Sequence, residues 1–535
     1  MRLRRALIAS YDPSQFLPLA RALQAREVEL WATSGTARSF TASGLSVHST
    51  EELTGIGSWF GGRVKTLHPA IFGGILAPRT EDGQQEMESH HLVPFDLVAV
   101  HLYPFEEALA QGGSSLPELV ELIDVGGPSL LRAAAKNFRW VTAISGPEEA
   151  RIVLDEIERT GGSVGRSTRR RLAGAVFRRT MLYDAAIVAG LSGVREEDGS
   201  PTPAGSAPKA AAETSRPPCE VLTLTLQPDE RLRYGENPHQ PAWVYRFAQP
   251  PAGISPWPLS VVKGDRLSYN NYLDIESSLA LVSEFDEPAA AVIKHATPCG
   301  VAIADDVEHA VARALATDPV ARYGCVIATN RPVSEGCVAE LKGTFVDLLV
   351  APGYGPGAIE RLSKRPKVKV ARYDGEVRDI ALRSRREART ATGRLLLEEA
   401  DQRVLAPADL RQVSQRAATP EELAGLHFAW KVVRYVRSNA IVLAQPRETV
   451  GIGGGQTSRV GAVQAALDVA QGRARGAVMA SDAYFPFPDG VEAAAKAGVT
   501  AVLHPGGSLR DAEVIDTANR YGMTMYTTGW RTFRH

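Results

Sequence analysis

Two short segments of the chain combine a lysine and a histidine with turn-forming residues. The segment GRVKTLHP contains Lys65 and His68, and the segment VIKHATPCG contains Lys294 and His295. A histidine can transfer a proton near neutral pH, and a lysine can stabilise a developing oxyanion. The two segments therefore indicate two centres for acid–base chemistry on small molecules. The alternative for a histidine without known partners is a structural role, which we favour for His68 because it directly precedes a proline.

Groups suited to binding an anion surround the first centre. Arg63 and Thr66 flank Lys65 after two glycines, so backbone and side chains could together hold a phosphate. A second group lies between a predicted strand and a predicted helix, where N–H groups and hydroxyls favour anions. Its members are Thr33, Ser34, Gly35 and Thr36. The alternative for this group is an ordinary helix N-cap.

A carboxylate and a further lysine belong to a later predicted helix in the same region. Asp124 stands just before Gly126 and Gly127, which open the helix, and a proline follows at a favoured first-turn position. Lys136 lies further along that helix. The alternative for Lys136 is a solvated surface lysine.

Four polar clusters accompany the second centre. Their sequences are RYGENPHQ from residue 233, LSYNN from residue 267, GIGGGQTSR from residue 451 and SDAYFPFPDG from residue 481. Hydrogen-bonded turns would explain any one of them alone. The glycine run fails the dinucleotide spacing because Gln456 occupies the last glycine position. The chain contains no phosphate-binding loop motif and no zinc-deaminase signature, so we predict that His295 and Cys299 bind no metal.

The composition excludes several function classes. The chain has 535 residues, with 44% hydrophobic and 23% charged residues, which indicates several globular domains. Lys and Arg number 60 against 61 Asp and Glu, so no general attraction to nucleic acid or membranes is expected. Four cysteines do not form a disulfide framework, and no apolar run is long enough for a membrane span. We predict a soluble, cytoplasmic protein whose arginine clusters at 169–171 and 383–389 are solvated.

The order of predicted strands and helices indicates where in the fold the candidate site residues lie. Residues 1–195 read as a doubly wound α/β domain with its site at the carboxyl ends of the strands. Residues 196–218 have the Gly, Ser, Pro and Ala content of a linker. The remainder, 219–535, is long enough for two further units. The apolar runs at 291–293 and 477–480 both lead into polar loops, which hints at a duplicated fold.

The motifs of the first region resemble the inosinate cyclohydrolase domain of a bifunctional purine-biosynthesis family. They are GGRVKTLHP, LYPF, IDVGGP and RAAAKN, in the same order along the chain. The resemblance implies a methylglyoxal-synthase-like fold. It also implies that Arg63, Lys65 and Thr66 hold the nucleotide. By the same resemblance, the residues around the closing ring are Tyr103, Asp124 and Lys136.

The polar clusters of the second region resemble the formyltransferase half of the same family. The resemblance implies two cytidine-deaminase-like units, about 219–395 and 396–535, without zinc. It implies that 10-formyltetrahydrofolate donates a formyl group to an aminoimidazole nucleotide. His295 would be the base, Asn439 the group that orients the formyl oxygen, and Asp489 a folate ligand. Lys294 would stabilise the oxyanion or help to protonate the folate nitrogen that leaves. Nucleotide-binding or neighbouring positions would be Arg233, Tyr234, Asp347, Arg459 and Arg531.

The family resemblance further implies a homodimer and leaves room for a bound monovalent cation. Four positions depart from the usual motifs: Pro13 replaces a lysine, His101 an asparagine, and Pro488 an arginine, and 323–325 (YGC) replaces Phe-Gly-Gly. We expect altered ligand affinity from these changes. Two alternatives stay open: an enzyme in which only one half works, and a nucleotide- or folate-binding regulator without turnover.

Overall fold

A computed structural model of the chain describes residues 2–192, 224, 226–247, 259–377 and 386–535. The chain divides into two compact units, residues 1–225 and 226–535. The predicted linker at 196–218 lies outside the described residues, as do Arg383 and Arg385 of the second arginine cluster. Within the described parts, no helix is both long enough and apolar enough to cross a membrane.

The first unit is built on a five-stranded parallel sheet, in the order β3-β2-β1-β4-β5. The strands are β1 (Arg5–Ser10), β2 (Glu29–Ala32), β3 (His48–Ser49), β4 (Leu97–His101) and β5 (Thr142–Ile144). The helices are α1 (Leu17–Gln24), α2 (Ser34–Ala42), α3 (Thr50–Thr54), α4 (Pro69–Leu76), α5 (Glu81–Ser89), α6 (Phe105–Gln111), α7 (Leu116–Glu121), α8 (Gly126–Lys136), α9 (Pro147–Thr160) and α10 (Arg166–Ser192). The predicted doubly wound α/β fold is confirmed.

Both faces of this sheet are buried. Along β1, Leu7 joins the apolar cluster that includes residues of α4, α8 and α10, whereas Ala6 and Ile8 join the cluster that includes residues of α1 and α9. Successive side chains of a strand point to opposite faces, so a strand covered on both faces must be apolar throughout. That requirement explains why the short run ALIA was recognisable as a strand.

The arginine cluster near the start of α10 is not entirely solvated, contrary to the sequence prediction. Arg170 and Arg171 are exposed, but Arg169 is buried. Its guanidinium donates hydrogen bonds to the carbonyl groups of Phe138, Arg139 and Val164. Arg169 therefore ties α10 to the chain that leads into β5.

The second unit contains a mixed twelve-stranded sheet and two separate hairpins. One hairpin is β6 (Leu226–Arg231) with β7 (Trp243–Phe247), and the other is β14 (Arg386–Ala391) with β15 (Arg394–Glu399). The first half of the large sheet comes from β8 (Leu259–Lys263), α11 (Tyr269–Val282), β9 (Ala289–Lys294), β10 (Thr297–Ile303), α12 (Val307–Thr317), β11 (Cys325–Thr329), α13 (Glu335–Glu340), β12 (Val346–Ala351), α14 (Pro356–Ser363) and β13 (Lys369–Tyr373). The second half comes from β16 (Arg411–Gln412), α15 (Pro420–Val433), β17 (Ile441–Gln445), β18 (Glu448–Gly453), α16 (Arg459–Ala470), β19 (Val478–Ser481), α17 (Asp489–Lys496), β20 (Ala501–His504), α18 (Asp511–Arg520) and β21 (Thr524–Thr527).

The two halves repeat one topology. Each runs strand, helix, two strands, then three helix–strand pairs, and each has the same parallel and antiparallel neighbours. The halves join where β10 pairs with β18. The duplication is therefore present, while the likeness of each half to cytidine deaminase stays a prediction. The predicted division at 395/396 falls within β15, in the hairpin between the two halves.

The strands that suggested the duplication are not its equivalent pair. By order and pairing, β9 corresponds to β17, and β19 corresponds to β11. All four strands are short, buried and rich in Ala and Val, so composition alone could not distinguish them. One face of the sheet carries α11 and α15 over a core shared by both halves, while the other face has a separate core for each half.

Candidate functional sites

The first site lies at the carboxyl ends of the parallel strands. In the order β3-β2-β1-β4-β5, the chain reverses direction across the sheet between β1 and β4, and this switch point opens a crevice. Tyr11 follows β1 and Tyr103 follows β4, and their ring centroids are 5.4 Å apart. His101, the last residue of β4, packs its ring against Phe16 and has a buried Nδ1 without a hydrogen-bond partner. His101, which replaces an asparagine of the family motif, thus lies at this crevice. Tyr11, two residues before the replaced position Pro13, lies there as well.

The segment between β2 and α2 is only partly available to a ligand. Thr36 is buried, and its hydroxyl accepts hydrogen bonds from Ser10 N at 3.1 Å and from Thr33 Oγ1 at 3.2 Å. The Ser34 hydroxyl donates to Glu51 at 2.7 Å. Gly35 faces open space, and the first N–H groups of a helix have no partner within it. The Thr36 hydroxyl therefore has partners within the chain, and binding of an anion by the N–H groups at the start of α2 stays a prediction.

Asp124 is the centre of the first site. Its Oδ1 accepts the Gly127 N–H at 2.7 Å, and its own N–H donates to the Tyr183 hydroxyl at 2.8 Å. Burial raises the pKa of the Asp124 carboxyl. Hydrogen bonds from the N–H groups of Gly127 and Tyr103 offset part of that increase, and so does the positive charge of Lys65. The structure thus brings Lys65, Tyr103 and Asp124 together.

Tyr183 is a supporting residue that the sequence motifs did not reveal. It lies on α10, far along the chain, and its hydroxyl also donates to the Leu122 carbonyl at 3.0 Å. Burial raises the pKa of this phenol to about 12, so it stays a neutral donor and acceptor.

The absence of a side chain at Gly126 lets the start of α8 lie close to Thr66. A Cβ at this position would lie 2.9 Å from Thr66 Oγ1.

Two predicted residues of the first site are exposed. Arg63 is exposed and forms an ion pair with Glu121. Lys136 is the exposed last residue of α8, about 15 Å of helix from Gly126 at a rise of 1.5 Å per residue. Within one chain, Lys136 therefore lies away from the start of α8, and its predicted role at the closing ring stays a prediction.

The second site forms at one edge of the twelve-stranded sheet, which we call the His295 edge. It contains the end of β9, the starts of β10, β11 and β12, the start of β17 and the ends of β18 and β19. The turn between β9 and β10 is the two-residue loop His295-Ala296, with φ of 54° and 56°. Positive φ at both positions is what a type I′ hairpin requires, and Asn-Gly is its preferred sequence. His295 and Ala296 therefore hold an unfavourable backbone conformation.

Side-chain and backbone contacts fix this turn from two directions. Lys294 Nζ donates to the Tyr323 carbonyl at 3.0 Å, and the Ala296 N–H donates to Asp274 Oδ1 at 2.6 Å. Tyr323 also packs its ring against Phe345, with centroids 5.5 Å apart. Asp274 was not among the residues predicted from the sequence, although it belongs to α11, the helix that begins within the LSYNN cluster.

A cavity of about 250 Å³ adjoins the turn and takes residues from both halves of the sheet. Its walls are Lys294, His295, Thr297, Pro298, Cys299, Asp318, Ala321, Ile452, Gly454 and Val469. Burial raises the pKa of the Cys299 thiol, so this wall residue stays protonated. Among the described residues, no group of three or more His, Cys, Asp or Glu side chains is arranged to hold a metal ion.

Asn439 stands two residues before β17, whose start belongs to the His295 edge, and it is held by a buried ion pair. Its Nδ2 donates to the Gln456 carbonyl at 2.8 Å, and its Oδ1 accepts from Arg459 Nη2 at 2.8 Å. Arg459 also pairs with Asp482, which is fully buried. The Arg459 guanidinium is therefore buried and orients Asn439, while its ligand role stays a prediction. Ser438 Oγ donates to Asp482 Oδ2 at 2.5 Å and completes the network.

The other predicted residues of the second unit have separate settings. Asp347 accepts hydrogen bonds from Asn271 and Lys369, each at 2.7 Å, and its charge reaches Asp274. The remaining predicted residues are exposed or half-buried: Arg233 stacks on Tyr234 at 5.5 Å, Arg531 stacks on Phe533 at 4.6 Å, and Asp489 begins α17. Pro488 stands where the family has an arginine, and the Arg510 guanidinium lies 5.0 Å from the neighbouring Phe487 ring.

Comparisons with known proteins find relatives that match nearly the whole chain. The model of the AICARFT/IMPCHase bienzyme family matches residues 134–469, and the MGS-like domain model matches residues 15–129. The chain belongs to the AICARFT/IMPCHase bienzyme family. It is a bifunctional enzyme of purine biosynthesis, an AICAR formyltransferase and an IMP cyclohydrolase.

Curated relatives of this bienzyme family cover the chain from end to end. The bifunctional purine biosynthesis protein PurH of Anoxybacillus flavithermus is 40% identical over 99% of this chain and 100% of its own length. The proteins of the same name from Magnetococcus marinus and Desulfitobacterium hafniense are 41% and 42% identical, over 100% and 99% of this chain and all of theirs. The crystal structure of ForH is 37% identical, covers 35% of this chain and 96% of its own, and gives a TM-score of 0.33.

Proposed function

We propose that the two reactions are divided between the two units. The unit at 226–535 transfers the formyl group of 10-formyltetrahydrofolate to the amine of 5-aminoimidazole-4-carboxamide ribonucleotide. The unit at 1–225 closes the ring of the formylated product to inosine 5′-monophosphate. The observation that carries this proposal is the His295 turn, where a lysine and a histidine line a cavity, together with the half-buried Asn439, whose amide oxygen is oriented by Arg459.

Formyl transfer requires help at three atoms. The amine is conjugated and weakly nucleophilic, so His295 removes its proton as the nitrogen attacks the formyl carbon. The tetrahedral oxyanion is stabilised by Lys294, and Asn439 orients the formyl oxygen. The bond from the formyl carbon to the folate nitrogen then breaks, and that nitrogen leaves with a proton supplied by Lys294 or by the imidazolium of His295. Asp489, exposed at the start of α17, holds the folate in this proposal.

Nucleotide recognition in the transferase unit uses polar groups near the His295 edge. Asp347 is near this region, because its charge affects Asp274, which holds the His295-Ala296 turn. The exposed groups Arg233, Tyr234 and Arg531 are assigned to the nucleotide on the family resemblance alone.

Ring closure joins the carboxamide nitrogen to the formyl carbon and expels water. Lys65 transfers protons, Asp124 binds the carboxamide, and Tyr103 faces the oxyanion. The reaction is intramolecular, so holding the two groups in contact supplies much of the acceleration. The N–H groups at the start of α2 hold the phosphate together with Thr66, and Arg63 joins them once it releases Glu121. A role for Lys136 requires a second copy of the chain, which agrees with the homodimer that the family resemblance implies.

No step of this mechanism uses a metal ion. Near Asn439, both carboxylate oxygens of Asp482 already accept hydrogen bonds, from Ser438 on one side and from Ala440 and Arg459 on the other. This carboxylate is therefore already held by three donors of the chain itself. We place the enzyme in the cytoplasm, together with its folate and nucleotide substrates.

The test supplies purified protein with the aminoimidazole nucleotide and 10-formyltetrahydrofolate while ultraviolet absorbance follows folate release and inosinate formation. His295→Ala is expected to lose formyl transfer, by a factor of about 10² to 10⁴, and to cyclise supplied formyl-nucleotide at the normal rate. Normal transfer by this variant would refute the proposed base. Formylated intermediate without inosinate would refute the cyclohydrolase assignment, and binding of both ligands without product would favour the regulator.

A further inference from the structure

Asp274 on α11 contacts the catalytic turn but belongs to none of the motifs discussed above. We propose that Asp274 is a positioning residue for formyl transfer, which holds the His295-Ala296 turn and presents a carboxylate to the His295 imidazole. This inference rests on the proposed role of His295 as the base. It assigns Asp274 two separable effects, one on the backbone and one on charge.

The backbone effect follows from the conformation of the turn. The left-handed region is strained for a residue other than glycine, and both His295 and Ala296 occupy it. The hairpin register, with Lys294 opposite Thr297, leaves these two residues to close the loop. The Ala296 N–H points out of the hairpin, and Asp274 Oδ1 accepts it at 2.6 Å. A charged acceptor makes a stronger hydrogen bond than a neutral one, so Asp274 offsets part of the strain of this conformation.

The charge effect follows from the groups that face Asp274. Burial raises the pKa of its carboxyl, while the hydrogen bond from Ala296 and the charge of His295 lower it. The negative charge of Asp347 on β12 opposes ionisation of Asp274. Lys369 on β13 pairs with Asp347 at 2.7 Å, and its positive charge offsets part of that effect.

Two further titratable groups complete these surroundings. Cys325 on β11 is within electrostatic reach of both Asp274 and Lys294. Burial raises the pKa of this thiol to about 12, so it stays neutral at physiological pH. Lys294 directs its ammonium to the Tyr323 carbonyl. Asp274 is therefore the carboxylate placed to stabilise the imidazolium that forms when His295 accepts a proton, as an orienting acid does in other catalytic groups.

Two substitutions separate the effects. Asp274→Asn keeps an oxygen that accepts the Ala296 N–H but removes the charge, and Asp274→Ala removes both. We expect kcat for formyl transfer to fall about tenfold in the first variant and about a hundredfold in the second, within the usual span of acid–base contributions. The acid limb of the pH–rate profile should move to lower pH in both variants, because the imidazolium loses its stabilising anion.

A third substitution tests the backbone effect directly. Glycine adopts positive φ without cost, so Ala296→Gly should recover part of the activity that Asp274→Ala loses. The same change should not recover the activity of Asp274→Asn, which retains the acceptor. The matched control is Asp305→Asn, which removes an exposed carboxylate of the same unit and should change neither kcat nor the profile.

Each outcome decides a different point. A normal kcat and an unshifted profile in Asp274→Asn would overturn the charge effect, and no recovery by Ala296→Gly would overturn the backbone effect. Cyclisation of supplied formyl-nucleotide is measured in every variant as the internal control for the other unit. His295→Ala is assayed in parallel, because normal transfer in that variant would refute the proposed base whatever Asp274 does.

Discussion

Asp124 is buried in the first site at a position where burial opposes its ionisation. Because its pKa in the folded protein is raised, the unfolded chain loses this proton first as the pH increases. The ionised carboxylate therefore lowers stability above the folded pKa and has no effect at pH values where both states are protonated. We predict that Asp124→Asn increases the free energy of unfolding at pH 7.5, with a difference that narrows as the pH falls into the acid range. Urea unfolding at several pH values measures this.

The same substitution should damage the reaction. The asparagine side chain of the Asp124→Asn variant would still accept the Gly127 N–H, but it cannot act as an anion. Cyclisation should therefore fall by a factor of about 10² or more. Formyl transfer in the other unit should be unchanged. A variant that was both less stable at neutral pH and fully active would contradict this account of Asp124.

At the scale of elements, the start of α8 is shaped by close contacts that only glycine allows. A Cβ on Gly127 would lie 2.4 Å from Asp124 Oδ2 and 2.8 Å from Leu102 Cδ2. We predict that Gly127→Ala displaces the carboxylate and lowers cyclisation more than about tenfold, a large effect of small misplacement. The matched control is Gly174→Ala in the middle of α10, where a Cβ meets nothing within 4 Å. That change should stabilise the protein by about 0.5–1 kcal/mol and leave both activities intact. Thermal unfolding and the two rate assays compare the variants.

Secondary-structure elements could be predicted from the sequence where a single physical requirement determined their residues. Strands covered on both faces must be apolar, so β1, β2 and β4 were recognisable, and Pro128 marked the start of α8. The same uniformity concealed which strands of the second unit are equivalent, because β9, β17 and β19 are alike in composition. The left-handed turn at His295 was also hidden, since its sequence is not the Asn-Gly that normally signals it.

For individual side chains, a motif predicts position along the chain but not the direction in which a group points. The Asp124 carboxyl does lie near the backbone N–H of Tyr103 and within electrostatic reach of Lys65. Arg459 and Thr36 occupy motif positions, but their polar groups bind other parts of the chain. Arg459 binds Asp482 and Asn439, and Thr36 binds Ser10. Those partners come from distant parts of the chain, so no local pattern could reveal them.

For the whole molecule, each unit has its own buried cores, and the proposed function assigns one reaction to each unit. The first unit has its apolar clusters on the two faces of the parallel sheet, and the second has three around the mixed sheet. A substitution in one site should therefore leave the other reaction intact, as the variants above assume. The coupling between the reactions is chemical: cyclisation consumes the formylated nucleotide and draws the transfer forward.

This separation predicts complementation between inactive variants. His295→Ala retains cyclisation and Asp124→Asn retains transfer, so neither alone should convert the aminoimidazole nucleotide to inosinate. Mixed together, they should restore conversion, because the intermediate released by one is cyclised by the other. We expect a lag before inosinate appears, and the lag should shorten as the concentration of His295→Ala protein increases. The double variant is the negative control. A mixture that released folate but never formed inosinate would show that the intermediate does not leave the molecule that makes it.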